Sequence, residues 1–287
     1  DNLWLFDAEN SELTEVFSFD SGEGSDARSR NRSHTVRIIS MDDKGNIAFS
    51  VCGYMNRGIH EGEVGNAIYY YDREQSIVEE KAFISSSKSP EAAEEELGKM
   101  VYYSQEQDVL YVMAGGKLYQ TDLKEEEQTV LAEGLTEEQY TLSEDGSRIA
   151  YQTASAEDGV NGIQVLDLQS GEGYTVEAAD GETIRPLGFV NSDFVYGKAR
   201  SEDSGTSPAG GEITPMYEVE IRSSHNKEQA KYAFTDQGLY ITDILIEGNL
   251  LTLDRVQKDG DRYITASPEY VTNNEERQDT KLTLETY

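Results

Sequence analysis

Short runs in which apolar and polar residues alternate recur along the whole chain. Each closes on an acidic residue, passes through a polar turn and resumes as a second alternating run. Leu3 to Asp7 is followed by Leu13 to Phe19, Ile68 to Asp72 by Ile77 to Phe83, Leu118 to Asp122 by Thr129 to Ala132, and Ile163 to Asp167 by Tyr174 to Ala178. Met216 to Ile221 with Ala230 to Phe234 is a fifth copy, and Tyr263 to Val271 with Lys281 to Thr286 a looser sixth. A period of two, β-branched or aromatic residues and polar joins predict a β-hairpin for each.

A second unit lies between these hairpins: an apolar strand, a tight turn holding Gly, Asn or Asp, and another strand. Val36–Ile39 with Asn46–Phe49, Val101–Tyr103 with Val109–Val112, Tyr140–Leu142 with Ile149–Tyr151, Leu187–Val190 with Phe194–Tyr196, and Ile244–Ile246 with Leu250–Leu253 are its copies. Second strands starting at 47, 109, 149, 194 and 250 include spacings in the range of about 40–50 residues expected of four-stranded propeller blades. The third copy carries the plainest signature. Ser143-Glu144-Asp145-Gly146-Ser147-Arg148-Ile149-Ala150-Tyr151, then Ile163 to Leu168 and the turn Ser170-Gly171, resembles the repeat of TolB-like and WD40-like β-propellers. The match is partial at 41–49, where Met41 stands in the serine position.

That resemblance implies an all-β fold, a β-propeller of four-stranded antiparallel blades, about five to six in this chain, with no activity attached, since the matched residues are turn and core positions. Residues 1–287 are expected to form a single propeller domain, a piece of a larger protein, with blades over 36–83, 101–132, 140–178, 187–234 and 242–286. Hairpin 3–19 is left as the outer half of a blade, its inner half supplied by the C-terminal region or by residues outside this sequence. Trp4 and Phe6 on one strand face and Leu3 and Leu5 on the other predict burial on both sides. Ser89, Pro90 and Glu91 form an N-terminal signature for one short helix, in an inter-blade loop, ending at Leu97.

Long connections at 20–34, 54–66, 84–100, 154–161 and 200–214 map to one face of such a fold, and loops on a rigid scaffold are where sites are built. Segment 54–66 is the first candidate: Tyr54, Asn56, Arg57, His60, Glu61 and Glu63 lie among glycines, within reach of Arg185 or of the basic stretch 27–41, as a ligand site or as an internally paired plug. Arg28, Arg30, Arg32 and Arg37 fall in that stretch, which has no Asp or Glu, and are candidates for an anionic ligand or for pairing with the chain's own acids. Segment 200–214, rich in Ser, Gly and acids, reads as a flexible loop. Cys52 ends an apolar strand and reads as a small buried hydrophobe.

Charge narrows the partners. Asp and Glu number 56 against 24 Lys and Arg, a net charge of −32, which opposes nucleic acid and anionic lipid alike. No apolar run is long enough to insert in a membrane as a helix. One cysteine excludes an internal disulfide and a cysteine-based zinc site. The opening at Asp1, the 18 Tyr and 25 Gly and the acidic composition suit an exported, extracellular or cell-surface bacterial protein. No nucleophile elbow, phosphate loop or HExxH pattern is present, so no catalytic residue, metal or cofactor is assigned. The expected function is a non-catalytic binding or scaffold module, its partner an unknown protein or small molecule on the loop-rich face, or another part of its own polypeptide. The alternative is a glycoside-active propeller using paired carboxylates in its funnel.

Overall fold

The aspartate that closes four of the alternating runs is the cap of a turn. In the computed structural model, which describes residues 2–18, 34–154 and 161–272, the side chains of Asp7, Asp72, Asp122 and Asp167 each accept backbone N–H groups two or three residues on, at 2.9–3.2 Å. Four residues after each aspartate the chain turns left-handed, at Ser11, Ser76, Glu126 and Gly171. This local hydrogen bonding competes with strand extension and stops the strand there. The bonds hold the Asp7 carboxyl down at about 2, its bonds from Asn10 first among the causes.

The chain divides into two compact units, one built on Asp1–Glu133 and one on Gly134–Arg277. The first begins with a hairpin of β1 (Asn2–Asp7) and β2 (Glu12–Ser18). Two four-stranded antiparallel meanders follow: β3 (His34–Met41), β4 (Ile47–Tyr54), β5 (Val64–Asp72) and β6 (Ile77–Ser86), then β7 (Met100–Ser104), β8 (Val109–Ala114), β9 (Lys117–Asp122) and β10 (Glu127–Ala132). Between them lies helix α1 (Pro90–Leu97), capped by Ser89, whose hydroxyl accepts from the Ala92 N–H, as its sequence signature predicts. Ala93 and Leu97 bury its inner face.

The second unit holds a meander of β11 (Tyr140–Leu142), β12 (Arg148–Ala154), β13 (Asn161–Asp167) and β14 (Gly173–Glu177). The next comprises β15 (Glu182–Val190), β16 (Asp193–Arg200), β19 (Met216–Arg222) and β20 (Glu228–Ala233), with the short pair β17 (Gly205–Thr206) and β18 (Glu212–Ile213) inserted after β16. The last is built on β21 (Leu239–Glu247) and β22 (Leu250–Asp259). The fold class is therefore the all-β one expected, the four-stranded antiparallel blade of a propeller repeated along the chain.

Neighbouring sheets share their cores residue by residue. On β4, Ile47, Phe49 and Val51 join Leu3 and Val16 of the hairpin, whereas Ala48 between them joins Tyr103, Leu110 and Val112 of the next sheet. On β16, Phe194 and Tyr196 pack with Ile163, Val165 and Val176 of β13 and β14, and Val195 and Ala199 pack with Ile241, Leu251 and Leu253 of the following sheet. Alternation along a strand thus supplies two interfaces from one segment. Cys52 is buried, and burial pushes its thiol up to about 11.

Three expectations are corrected. Hairpin β1–β2 is buried on one face only: Leu3 is 8% exposed, while Trp4, Phe6 and Leu13 are 49%, 47% and 60% exposed. Apolar alternation on both faces made the second burial look necessary. The sixth alternating copy does not run as one strand; β23 (Arg262–Thr265) and β24 (Glu269–Thr272) pair side by side with the two halves of the long β22, and 281–286 lies outside the described residues. Segment 200–214 is ordered. Asp203 is buried and accepts from the Tyr240 hydroxyl at 2.9 Å and from Lys258 at 3.0 Å, while Tyr263 donates to its carbonyl at 2.6 Å. Thr206 then pairs with Arg262. Composition could not reveal partners some 40–60 residues away.

One charge is placed in the core of this unit. Glu220 on β19 is fully buried and meets Lys198 Nζ at 2.6 Å and Arg222 Nε at 2.7 Å. Burial alone would raise its carboxyl, but the Lys198 and Tyr196 hydrogen bonds and the Lys198 and Arg222 charges outweigh that and hold it below the ordinary value. Its contribution is present above the unfolded carboxyl pKa and lost as pH falls through the lower folded value. Glu220→Gln leaves Arg222 without its carboxylate and Lys198 with Glu218 alone, and is expected to cost about 3 kcal/mol, as breaking a buried pair does. Urea melts of both proteins between neutral pH and the acid limb should show the gap narrowing on acidification; a gap that widens contradicts the assignment.

Candidate functional site

The loop singled out between β4 and β5 is an ordered reversal. Met55 N–H donates to Glu63 O and Gly62 N–H to Met55 O, both at 2.8 Å, and Gly58 and Gly62 take the left-handed conformations that a side chain resists. Its chemistry-bearing residues are turned to different tasks. Tyr54 ends β4 half-buried, Asn56 is buried, and Glu61 and Glu63 are exposed. Arg57 donates to the Ser18 carbonyl at the end of β2. His60 stacks on Phe83 with ring centroids 3.7 Å apart and meets Glu80 at 2.7 Å.

The remaining candidates also have local partners. Arg37 on β3 donates to the Gly98 carbonyl at 2.7 Å and pairs with Glu94 at 3.0 Å, tying the sheet to α1. Arg185 belongs to the other unit, where it donates to the Thr242 carbonyl at 2.6 Å and stands 3.9 Å from Asp243. Arg28, Arg30 and Arg32 lie outside the described residues. Among the described residues no group of three or more His, Cys, Asp or Glu is placed to hold a metal ion.

A concavity lies elsewhere, in the second unit. A cleft of about 380 Å³ opens between two adjacent sheets and is lined by Arg148, Val165, Asp167, Ser170, Glu172, Gly173 and Tyr174 on one side and by Ser192, Ser224, His225 and Asn226 on the other. These are the start of β12 and the tight β13–β14, β15–β16 and β19–β20 turns, at the end of the sheets opposite the long connections where the sequence pattern placed the site.

Both walls are braced. On the first, Asp167 Oδ1 is occupied by the N–H groups of Gln169 and Ser170, and Oδ2 faces Arg148 Nε at 3.3 Å, off the hydrogen-bond angle. The adjoining turn is held by Asp145, which accepts from Ser143 and Ser147 hydroxyls at 2.6 and 2.8 Å; burial opposes ionisation there, but these bonds and the Arg148 charge keep its carboxyl below the ordinary range. On the second wall, Arg222, itself held by Glu220, donates from Nη1 to both the backbone oxygen and Oδ1 of Asn226, at 3.1 and 2.7 Å. Asn226 takes the left-handed position of that turn. The buried charge network therefore ends at the cleft.

Two features of this cleft are unusual for turn residues. The Arg148 guanidinium is partly exposed and makes no side-chain hydrogen bond among the described residues, only the ion contact with Asp167. Below the surface, the Tyr174 hydroxyl is buried with no hydrogen-bond partner among the described residues, and burial pushes it up to about 12 against the pull of the Arg222 and Arg148 charges. A second, more open hollow of about 640 Å³ is lined by the ends of β11, β15 and β21, with Glu144, Asn191 and Glu247 at its polar edge. Sequence reasoning missed the cleft because its residues come from the start of β12 and from three turns, each ordinary alone. The one available signal was an arginine directly after the Asp145-Gly146-Ser147 turn.

No protein-family model matches the chain, and no curated protein matches its sequence significantly. Among solved structures, the chain is similar to one in the crystal structure of the mitotic checkpoint complex, at 10% identity and a TM-score of 0.37, over 93% of this chain and 74% of that one. It is similar to the β-propeller domain of the trilobed protease from Pyrococcus furiosus, at 10% identity and a TM-score of 0.35, over 81% and 70%. For the tricorn protease the figures are 12%, 0.33, 90% and 31%. At such scores these likenesses carry no argument, and the fold class stands on the strands themselves.

Tyr174 provides a test of how this wall is built. A buried hydroxyl without a partner costs about 1–3 kcal/mol, so Tyr174→Phe should leave the melting temperature unchanged or raise it. A clear fall in thermal unfolding temperature would mean that the hydroxyl is hydrogen-bonded and the wall is arranged differently.

Proposed function

We propose that this chain is a non-catalytic binding module, a propeller of TolB-like type whose stacked sheets hold a small-molecule site in the cleft between the β13–β14 and β19–β20 turns. The observation that carries this reading is the partly exposed Arg148 side chain in a braced concavity, which among the described residues has the Asp167 ion contact and no side-chain hydrogen bond. Prepaid rigidity supports it: the turns are held by Asp167 and Arg222 before any ligand arrives, which reduces the ordering cost of binding. The hydrolytic alternative asks for two carboxylates free to act as acid and base. Asp167 Oδ1 is held by its own turn and Oδ2 is charge-paired with Arg148, so this carboxylate is not placed as a free acid or base, which favours binding over turnover. The acidic composition, with 18 Tyr and 25 Gly, supports an exported or cell-surface setting.

The test is a thermal-shift screen of the full chain against a library of soluble metabolites, beside Ser224→Trp, which fills the cleft from an exposed turn. At least one compound should raise the unfolding temperature of the parent protein and leave the variant unmoved. The proposal is overturned by a screen without hits, by hits that Ser224→Trp does not abolish, or by turnover of a glycoside panel that Glu172→Gln eliminates.

A further inference from the structure

Resting on that reading of the cleft, we infer that its ligand is neutral and rich in hydroxyl groups, a sugar of one or two rings. Charge decides first. The lining carries one guanidinium against the carboxylates of Asp167 and Glu172, and the nearby Arg222 is matched by buried Glu220, within a chain of net charge −32. Among the described lining residues the guanidinium faces a carboxylate, and His225, the other basic side chain there, meets the Ser224 hydroxyl through Nδ1, an arrangement that does not favour an anion. A cation is met by the Arg148 donors, which lie against the Asp167 carboxylate it would seek.

Hydrogen bonding decides next. Arg148 can only donate, while Asp167 and Glu172, when ionised, can only accept. With the partly exposed Arg148 side chain lying against the Asp167 carboxylate, a ligand crossing this pair must accept at one atom and donate close beside it. Adjacent hydroxyls on a ring do both. Around the pair, Ser192 and Ser224 line the same space with hydroxyls that can donate or accept, while the Ser170 hydroxyl is held by Asp167 and the Glu172 N–H. The Asn226 amide oxygen is already taken by Arg222, which leaves its NH₂ to donate. A peptide or simple amide offers one such donor–acceptor pair, whereas a sugar repeats it along its edge. The partly exposed Tyr174 ring supplies an apolar surface in the lining for the C–H face of a ring. The volume lies in the lower part of the range of about 300–1,000 Å³ typical of small-molecule sites, in keeping with one or two rings.

The experiment uses the folded full chain on an array that presents neutral glycans beside their sialylated and sulfated forms, followed by calorimetry with the strongest neutral hit. Inorganic phosphate and a capped dipeptide serve as comparison probes. Neutral glycans should bind, and acidic forms should bind no better. Arg148→Lys keeps the charge facing Asp167 but loses the planar fork; it should weaken the hit at least tenfold while the melting temperature stays within a few degrees. Ser224→Trp, as a second variant, should abolish binding. Binding confined to sulfated or sialylated glycans or to phosphate overturns the inference, as does full retention of affinity in both variants. If the array is silent but the metabolite screen yields a non-sugar hit sensitive to Ser224→Trp, the sugar assignment fails and the binding module stands. Silence in both removes both.

Discussion

A β-sheet that is apolar on both faces has to be covered twice, and the rest of this structure depends on that requirement. β4 and β16 show how it is met: successive residues point to opposite interfaces, so each sheet is a layer in the cores on either side of it. Burying side chains of this size is worth roughly 1.5–3 kcal/mol each, far more than any single turn or surface ion pair. Sheet stacking is thus the dominant restraint, and the turns inherit their positions from it.

The cleft follows from the same restraint. Ile163, Val165 and Val176 meet Phe194 and Tyr196 in one shared core, and the chain must reverse direction at the end of each sheet. There the packed side chains give way to turns, and space opens between them. What fills the rim is set by turn chemistry: Asp167 caps one reversal, Asn226 takes the left-handed position of another, and Arg222 links the second to the Glu220 network. A fully buried carboxylate is a poor source of stability in general. In this unit it fixes an arginine that in turn fixes a cleft wall.

Much of the fold was legible because it is encoded locally. Hairpin strands have a period of two, an Asp ends the third strand of several copies, and Ser89-Pro90 opens a helix; each is a statement about neighbours in sequence. The order of segment 201–213 was not legible, because it depends on Asp203 meeting Tyr240, Lys258 and Tyr263. Exposure of Trp4 and Phe6 was equally hidden, since alternation shows that a face is apolar but not that something covers it. Among candidate site residues, the arginines and histidine of the first unit drew notice for their chemistry, and the structure gives Arg37, Arg57 and His60 nearby partners. Arg148 looked like an ordinary strand start, and its place in the cleft against Asp167 is a property of three-dimensional surroundings alone.

The account claims that adjacent sheets are held by shared cores rather than by their own hydrogen-bond ladders, and native-state hydrogen exchange on Ile163→Ala measures this most directly. Ile163 lies on β13 and is fully buried in the core shared with β16. Truncating it should cost about 2–5 kcal/mol and speed amide exchange in both sheets together, in β12–β14 and in β15, β16 and β19 alike. Faster exchange confined to β12–β14, with the neighbouring sheet as protected as before, would contradict the claim.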